Sequence, residues 1–441
     1  MDTNKQSNSN NWHQHEIARE QPLPVRKQST TAERASVAVV DPPLTPMVNE
    51  EHSRAESFWR QWYDALKQVF PIYLATHLAF FVITCLSVLF TLKDFSWQAL
   101  PPYTLWHSWD LWDSTIFTTI AKYGYTNFSQ MAFFPLYPLL ERGLMYITHV
   151  NPFLAGLIIS NLAGLGIFVV LYRLVREDFN AEQAGRAVLY LALFPTAFYL
   201  ASGYNESLFL FLAVLNFYQL RRGHWWWAGF FGFLASLTRS VGILLLIPFY
   251  YEYLRQHEFQ LKAFRWNALA GALIPCGLAL FSAWCYRQYH DPLAFSHAQA
   301  AWNRYLAFPG YGIILSIQNI QTSRGLLSFQ ALRNMTDLVP DLFILLFIIL
   351  SFVGPWRLPR QLWVYGIYAF VLYIFLQLFP NGGTGLFPLE SVGRFMLEVF
   401  PVFIVMAAAG KSKTLHMSYL MISGAILFFL LTQFLTGHWV L

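Results

Sequence analysis

Charge is what this sequence has least of. Only 12% of its 441 residues are Asp, Glu, Lys or Arg, while 56% are hydrophobic. That is about half the charged share of an ordinary soluble chain, and no soluble domain could hide so much apolar surface. Cysteine is nearly absent too. Cys85, Cys276 and Cys285 all lie inside apolar stretches, which excludes a disulfide framework and any C-x-x-C metal spacing. The first fifty or so residues lack the apolar core that a signal peptide requires. The formal net charge of +5 does not make a nucleic-acid surface, because the basic residues sit in short connections between apolar runs and read as orientation signals.

What the chain does have is long uninterrupted apolar blocks, such as residues 73–92 and 419–435. As helices these are long enough to cross about 30 Å of hydrocarbon, and a lipid bilayer is the solvent they require. The expected fold is therefore all-α, a polytopic transmembrane helical bundle. Counting apolar runs of roughly 15 to 23 residues gives about 11 spans, beginning near Phe70, Phe153, Ala184, Glu206, Trp225, Val241, Trp266, Leu338, Gln361, Phe395 and Leu415. Residues 1–57, rich in Asn, Gln, Ser, Pro and charge, read as a disordered cytoplasmic tail. Residues 58–441 then form the membrane domain, entered through an amphipathic stretch at 58–68.

Orientation has its own test, since short cytoplasmic loops carry the excess of Lys and Arg. With the amino terminus inside, the inner loops hold Arg173, Arg176 and Arg186, then Arg221 and Arg222, then Arg255, Lys262 and Arg265, then Arg357 and Arg360, then Lys411 and Lys413. Every inner loop is basic. The segments around Glu206 and Arg239 are short enough that a broken helix pair could replace two full spans.

The outer connections are longer than ordinary loops and carry the polar chemistry. In 93–151 the segment HSWDLWDSTIFTTIAKYGY sets Asp110 and Asp113 among tryptophans. Three residues apart on a helix, the two carboxylates would share a face. An interfacial helix with a Trp belt, capped at Asp110 or Asp113, accounts for the same residues. Arg239 would sit at an outer helix end, free to snorkel, and Glu206 would open a helix, where it could act as a cap or as a costly polar group held for a site. His297, Gln299, Trp302 and Arg304 read either as a sugar-binding surface, with Trp302 as stacking platform, or as an amphipathic helix on the membrane. Asn381, Gly382 and Gly383 read as a turn.

The motif W-D-S at Trp112, Asp113 and Ser114, followed by IAKYGY and AFFPLYP, resembles the PIG-V family of GPI mannosyltransferases and its prokaryotic relatives. FPTAFYLASGYNESLF with Tyr204 and Glu206, ASLTRSVGILL with Arg239, DPLAFSHAQAAWNR ending at Arg304, and SVGRFMLEVFP with Arg394 follow in the family's order. The extra Trp109-Asp110 pair doubles the acidic motif, and Gly393-Arg394-Phe395 stands where the family commonly has Arg-Tyr.

The resemblance implies a glycosyltransferase of the C superfamily, with a catalytic acid in the first large non-cytoplasmic loop and a polyprenyl-phosphate-linked sugar, mannose by family, as donor. Asp113 is then the first candidate for the base and Asp110 the second, and Arg239 and Arg394 are candidates for a clamp on the leaving phosphate. Tyr204, Glu206, Gln299, Trp302 and Arg304 complete the substrate-binding set. The acceptor is a glycolipid, a glycan or a protein. No metal is required, although two carboxylates without His or Cys would suit a hard cation such as Mg2+. The location implied is the plasma membrane in a bacterial host or the endoplasmic reticulum in a eukaryotic one. The competing reading is a transporter or flippase for a lipid-linked or small polar solute, with broken helices over 206–253. Against it, the ionisable candidates gather at one face and no internal repeat is evident.

Overall fold

A computed structural model describes residues 48–91, 102–260, 262 and 265–438. The chain divides into two units, Met1–Arg54 and Ala55–Leu441. The expected tail falls largely outside the described residues, and the helices that build the bundle belong to the second unit. Among the described residues there is no β-strand, only one isolated bridge between Arg304 and Asn381.

Among the described residues, five helices are long and apolar enough to cross a membrane: Phe58–Leu89, Pro152–Asp178, Trp266–Tyr289, Phe329–Phe352 and Lys413–Leu435. A sixth span arises if the pair Val392–Glu398 and Pro401–Ala409, bent by 83°, is counted as one. The chain is thus a multi-pass membrane protein. Each of the eleven expected starts falls at or within a helical segment, but those at Ala184, Glu206, Trp225, Val241 and Gln361 lead into helices too short to pass the same test.

The short helices pack tightly because small residues line their contacts. The helix Glu206–Arg221 lies between Pro152–Asp178 and Trp225–Thr238, and Trp225–Thr238 packs in turn on Leu273–Tyr289. A Cβ at Gly229 would stand 2.1 Å from the Ala270 carbonyl oxygen, and one at Gly277 would stand 2.4 Å from that of Phe233. Close backbone approach through small residues is how helices associate where lipid supplies no hydrophobic driving force. Gly229→Ala is expected to lower stability by about 1–3 kcal/mol, because the obstacle is backbone. A thermal-unfolding series in detergent that left the midpoint unchanged would show that this contact does not hold the helices together.

Non-helical backbone inside such a bundle must have its polar groups satisfied by the protein, and here side chains do so. Asn161 Nδ2 donates to the Ala201 carbonyl at 2.9 Å, Ser160 Oγ to Tyr204 O at 2.9 Å, Asn205 Nδ2 to Thr238 O at 3.0 Å and Thr196 Oγ1 to Gly393 O at 3.1 Å. These bonds hold three interruptions together, around 193–205, at Arg239 and around 391–400. The site is built from them. At the other end of the same helices Arg221 pairs with Asp178 at 2.9 Å and Glu252 at 2.7 Å, and Arg255 also pairs with Glu252, so two of the basic loops meet there.

Candidate active site

A cavity of about 410 Å³ opens where the interruptions converge, lined among others by Asp113, Arg239, Gln299, Trp302, Arg304 and Arg394. Six of the nine site candidates therefore share one wall. Asp110, Tyr204 and Glu206 do not line it.

Asp113 opens the helix Asp113–Tyr123, an end that favours a negative charge. The shared face expected for Asp110 and Asp113 does not form. The preceding residue, Trp112, has φ 57° and ψ −118°, so the helical register does not extend back to Asp110. Asp110 instead accepts from Ser114 Oγ at 3.1 Å. Burial pushes its pKa up, against the pull of that hydrogen bond. Neighbouring Glu141 is pushed up further by burial, with the Asp110 charge adding to it.

The carboxylates and guanidiniums then alternate. Arg394 Nη1 donates to Asp113 Oδ2 at 2.8 Å, and its Nε stands 3.1 Å from Glu206 Oε1. Arg239 Nη1 donates to Glu206 Oε1 and Asn205 Oδ1, both at 3.0 Å, and its Nε stands 3.0 Å from Glu398 Oε1. The chain Asp113, Arg394, Glu206, Arg239, Glu398 thus sets three carboxylates against two guanidiniums. Both Glu206 and Glu398 are almost wholly buried, and a buried charge must be paired or it is expensive. Glu206 begins its helix as expected, but its work is to bridge two arginines. Tyr204 lies behind the network, its hydroxyl donating to Leu111 O at 2.9 Å and its ring 5.4 Å from the Arg394 guanidinium. Arg239 is no surface snorkeller: it is mostly buried, with its guanidinium 4.6 Å from the Phe395 ring.

Arg304 differs from the other two arginines. Its Nη1 and Nη2 donate to the carbonyls of Phe379 at 2.9 Å and Glu390 at 2.6 Å, so carbonyls rather than an ion pair hold its guanidinium, and the Glu390 charge acts on it from nearby. Burial lowers its pKa to about 10, which leaves it a cation at neutral pH. The predicted turn at Asn381 to Gly383 contributes to this wall. Gly382 N donates to Asn303 O at 2.7 Å, and a Cβ at Gly382 would meet the Tyr305 ring at 2.7 Å. Trp302 packs edge-on against Phe133 at 5.8 Å, and its buried Nε1 has no hydrogen-bond partner among the described residues. His297 is drawn aside by Asp291 at 2.7 Å.

Reasoning from sequence does not single out Glu398, Glu390 or Asn205, and it reads Asn381 only as part of a turn. It also missed the strain. Of the seven non-glycine residues with positive φ among the described residues, Trp112 and Asn303 immediately precede Asp113 and Arg304, and Ser391 stands three residues before Arg394. Such backbone is costly and persists where surrounding structure over-determines it, commonly at functional sites. Among the described residues no group of three or more His, Cys, Asp or Glu could hold a metal.

The profile of the family described as Mannosyltransferase (PIG-V) matches residues 84–362. GPI alpha-1,6-mannosyltransferase 2 of Rattus norvegicus is 34% identical over 143 residues, which are 30% of this chain and 29% of the rat protein. GPI mannosyltransferase 2 of Schizosaccharomyces pombe is 27% identical over 261 residues, 55% of either chain. The matched portions thus cover between about a third and just over half of these relatives' length. Among solved structures, ArnT from Cupriavidus metallidurans bound to undecaprenyl phosphate aligns with a TM-score of 0.47 and 14% identity, covering 78% of this chain and 62% of that one.

Proposed function

Since the chain belongs to the PIG-V mannosyltransferase family, we propose that it is a membrane mannosyltransferase that takes mannose from a polyprenyl-phosphate carrier. The acceptor is a hydroxyl of a glycolipid, a glycan or a protein, and the relatives' names make a GPI-type glycolipid the first to test. In this reading Asp113 takes the proton of the acceptor hydroxyl. The hydroxyl oxygen bonds to the anomeric carbon as the bond from that carbon to the phosphate oxygen breaks, inverting the centre, and the polyprenyl phosphate leaves with the electron pair.

What carries the reading is that Asp113 and Arg304 line the same cavity. A carboxylate with only Oδ2 engaged by Arg394 keeps an oxygen for the acceptor. A guanidinium held by two carbonyls keeps charge for the phosphate, and in a site shielded from water that charge acts more strongly. The phosphate role read from sequence for Arg239 and Arg394 thus passes mainly to Arg304, because those two are already matched to carboxylates. Gln299 and the free Nε1 of Trp302 are then the groups for the sugar. Glu206 and Tyr204 are positioning residues behind Arg394. Arg304 supplies the countercharge for the phosphate in this scheme, which invokes no Mg2+.

We also read the short helices as completing about 11 crossings, with 58–441 as one catalytic domain, the tail 1–57 on the cytoplasmic side, and the cavity on the opposite face. Arg304→Met should weaken donor binding on the order of tenfold to a hundredfold, the worth of a charge-assisted hydrogen bond, with little change in the acceptor's KM. Titration of polyprenyl-phosphate-mannose against both proteins tests it. Unchanged donor affinity in a folded Arg304→Met variant would return the phosphate to Arg239 and Arg394.

A further inference from the structure

At the end of the bundle away from the catalytic cavity lies a second pair of cavities that the transfer reaction does not use. The helix Phe329–Phe352 starts near the site, where Asn334 Nδ2 donates to Leu386 O, and runs to the loop at 353–360. The helix Pro401–Ala409 leaves Glu398 and ends at Gly410. Lys413–Leu435 starts beside that end and returns to the site, where Phe434 packs on Tyr199 and Tyr204. The loops at 353–360 and 410–413 therefore share the far end.

Between these helices runs a groove of about 440 Å³ with almost wholly apolar walls. On one helix its lining extends from Val339 to Leu350 and on another from Leu415 to Ile426. Each is eleven residue steps, roughly 16 Å at about 1.5 Å per residue. That is half of the about 30 Å hydrocarbon core, so the groove covers the depth of one leaflet. Val339, Leu346 and Ile422 on its wall are each at least half exposed, so it opens to lipid.

At its far end the groove meets a second cavity, of about 510 Å³, with Trp356 and Ala409 lining both. Here the wall changes character, since Arg357, Lys411, Ser412 and Gln183 are part of it. Arg357 and Lys411 are exposed, and their side chains have no hydrogen-bond or ion-pair partner among the described residues. Trp356 stands at the junction, where an aromatic ring with one apolar and one wet side belongs at a headgroup boundary.

We propose that these two cavities together bind one phospholipid with an anionic headgroup, its acyl chain in the groove and its phosphate between Arg357 and Lys411. An apolar slot one leaflet deep, ending on unpaired basic side chains, matches the two parts of such a lipid in both length and charge. The walls include the helix that begins just after Glu398, so the bound lipid braces the element that closes the carboxylate network. The site is independent of the reaction assigned above.

The test is native mass spectrometry of the full chain released from detergent, titrated with phosphatidylglycerol, with phosphatidylcholine of the same acyl chains, and with inorganic phosphate. Phosphatidylglycerol is expected to bind in preference to phosphatidylcholine. Replacing both Arg357 and Lys411 by Ala is expected to weaken it on the order of tenfold to thirtyfold, from about one charge contact per residue. Both side chains lack partners among the described residues, so this variant should fold, and its elution in gel filtration checks that. Ser418→Trp, which fills the groove and leaves the charges in place, should also lose the lipid. Equal binding of the two phospholipids, or full binding by the double variant, overturns the charge half. Phosphate binding as tightly as phosphatidylglycerol, or lipid retention by Ser418→Trp, overturns the groove half.

Discussion

Replacing Asp113 by Asn is expected to reduce mannose transfer by about 10² to 10⁴-fold, the usual contribution of a positioned general base. Donor binding should survive, because an asparagine there would keep the shape and could still accept from Arg394, whose Nη1 now donates to Asp113 Oδ2. Asp110→Asn is the matched comparison. Asp110 faces Ser114 and lies outside the cavity wall, so its loss should cost transfer no more than a few-fold, an amount consistent with indirect effects. Measuring kcat and donor affinity for both variants separates the two carboxylates. If Asp110→Asn is the silent enzyme and Asp113→Asn the active one, the base has been misassigned and the Arg394 pair is purely structural.

Removal of the Arg394 side chain should be the most damaging change to the fold itself. Arg394→Ala leaves Asp113 and Glu206 without the guanidinium between them, and breaking a buried ion pair from one side costs about 3–5 kcal/mol. That is a large part of the roughly 5–15 kcal/mol that holds a typical domain together, so the variant should lose yield and its apparent melting temperature should fall sharply. The companion measurement is the double variant Arg394→Ala with Asp113→Asn. With one stranded charge gone, part of the stability should return, a coupling of about 0.5–3 kcal/mol between the two positions. Additive effects would mean that the 2.8 Å contact contributes nothing specific.

Much of this arrangement could be read from the chain, and the reasons for the gaps are physical. Apolar run length located helical segments at all eleven expected starts, because a bilayer forces long apolar stretches into helices. It could not tell a crossing helix from a broken one. The interruptions at 193–205, Arg239 and 391–400 are held by Asn161, Ser160, Asn205 and Thr196 donating to distant carbonyls, and such bonds exist only once the helices have packed. The same limit explains Asp110 and Asp113. Their spacing is helical in sequence, but the positive φ of Trp112 breaks the register between them. Glu398 went unnoticed inside an apolar run, although an ionisable residue in such a place is by default a site candidate. That rule would have found it. Arg304 was read with the sugar because its neighbours are Gln299 and Trp302. Only the folded chain shows that two carbonyls, and no ion pair, hold its guanidinium.

The most direct test uses purified protein in lipid nanodiscs, supplied with radiolabelled polyprenyl-phosphate-mannose and a GPI-type glycolipid acceptor fraction, with Asp113→Ala alongside. The account predicts label in the acceptor lipid with the wild type, and label remaining on the polyprenyl carrier with the variant although it binds the donor. Transfer at the same rate by Asp113→Ala would contradict the site. Binding of the donor without transfer to any acceptor, together with its movement across a sealed membrane, would contradict the enzyme and favour a carrier of lipid-linked sugar.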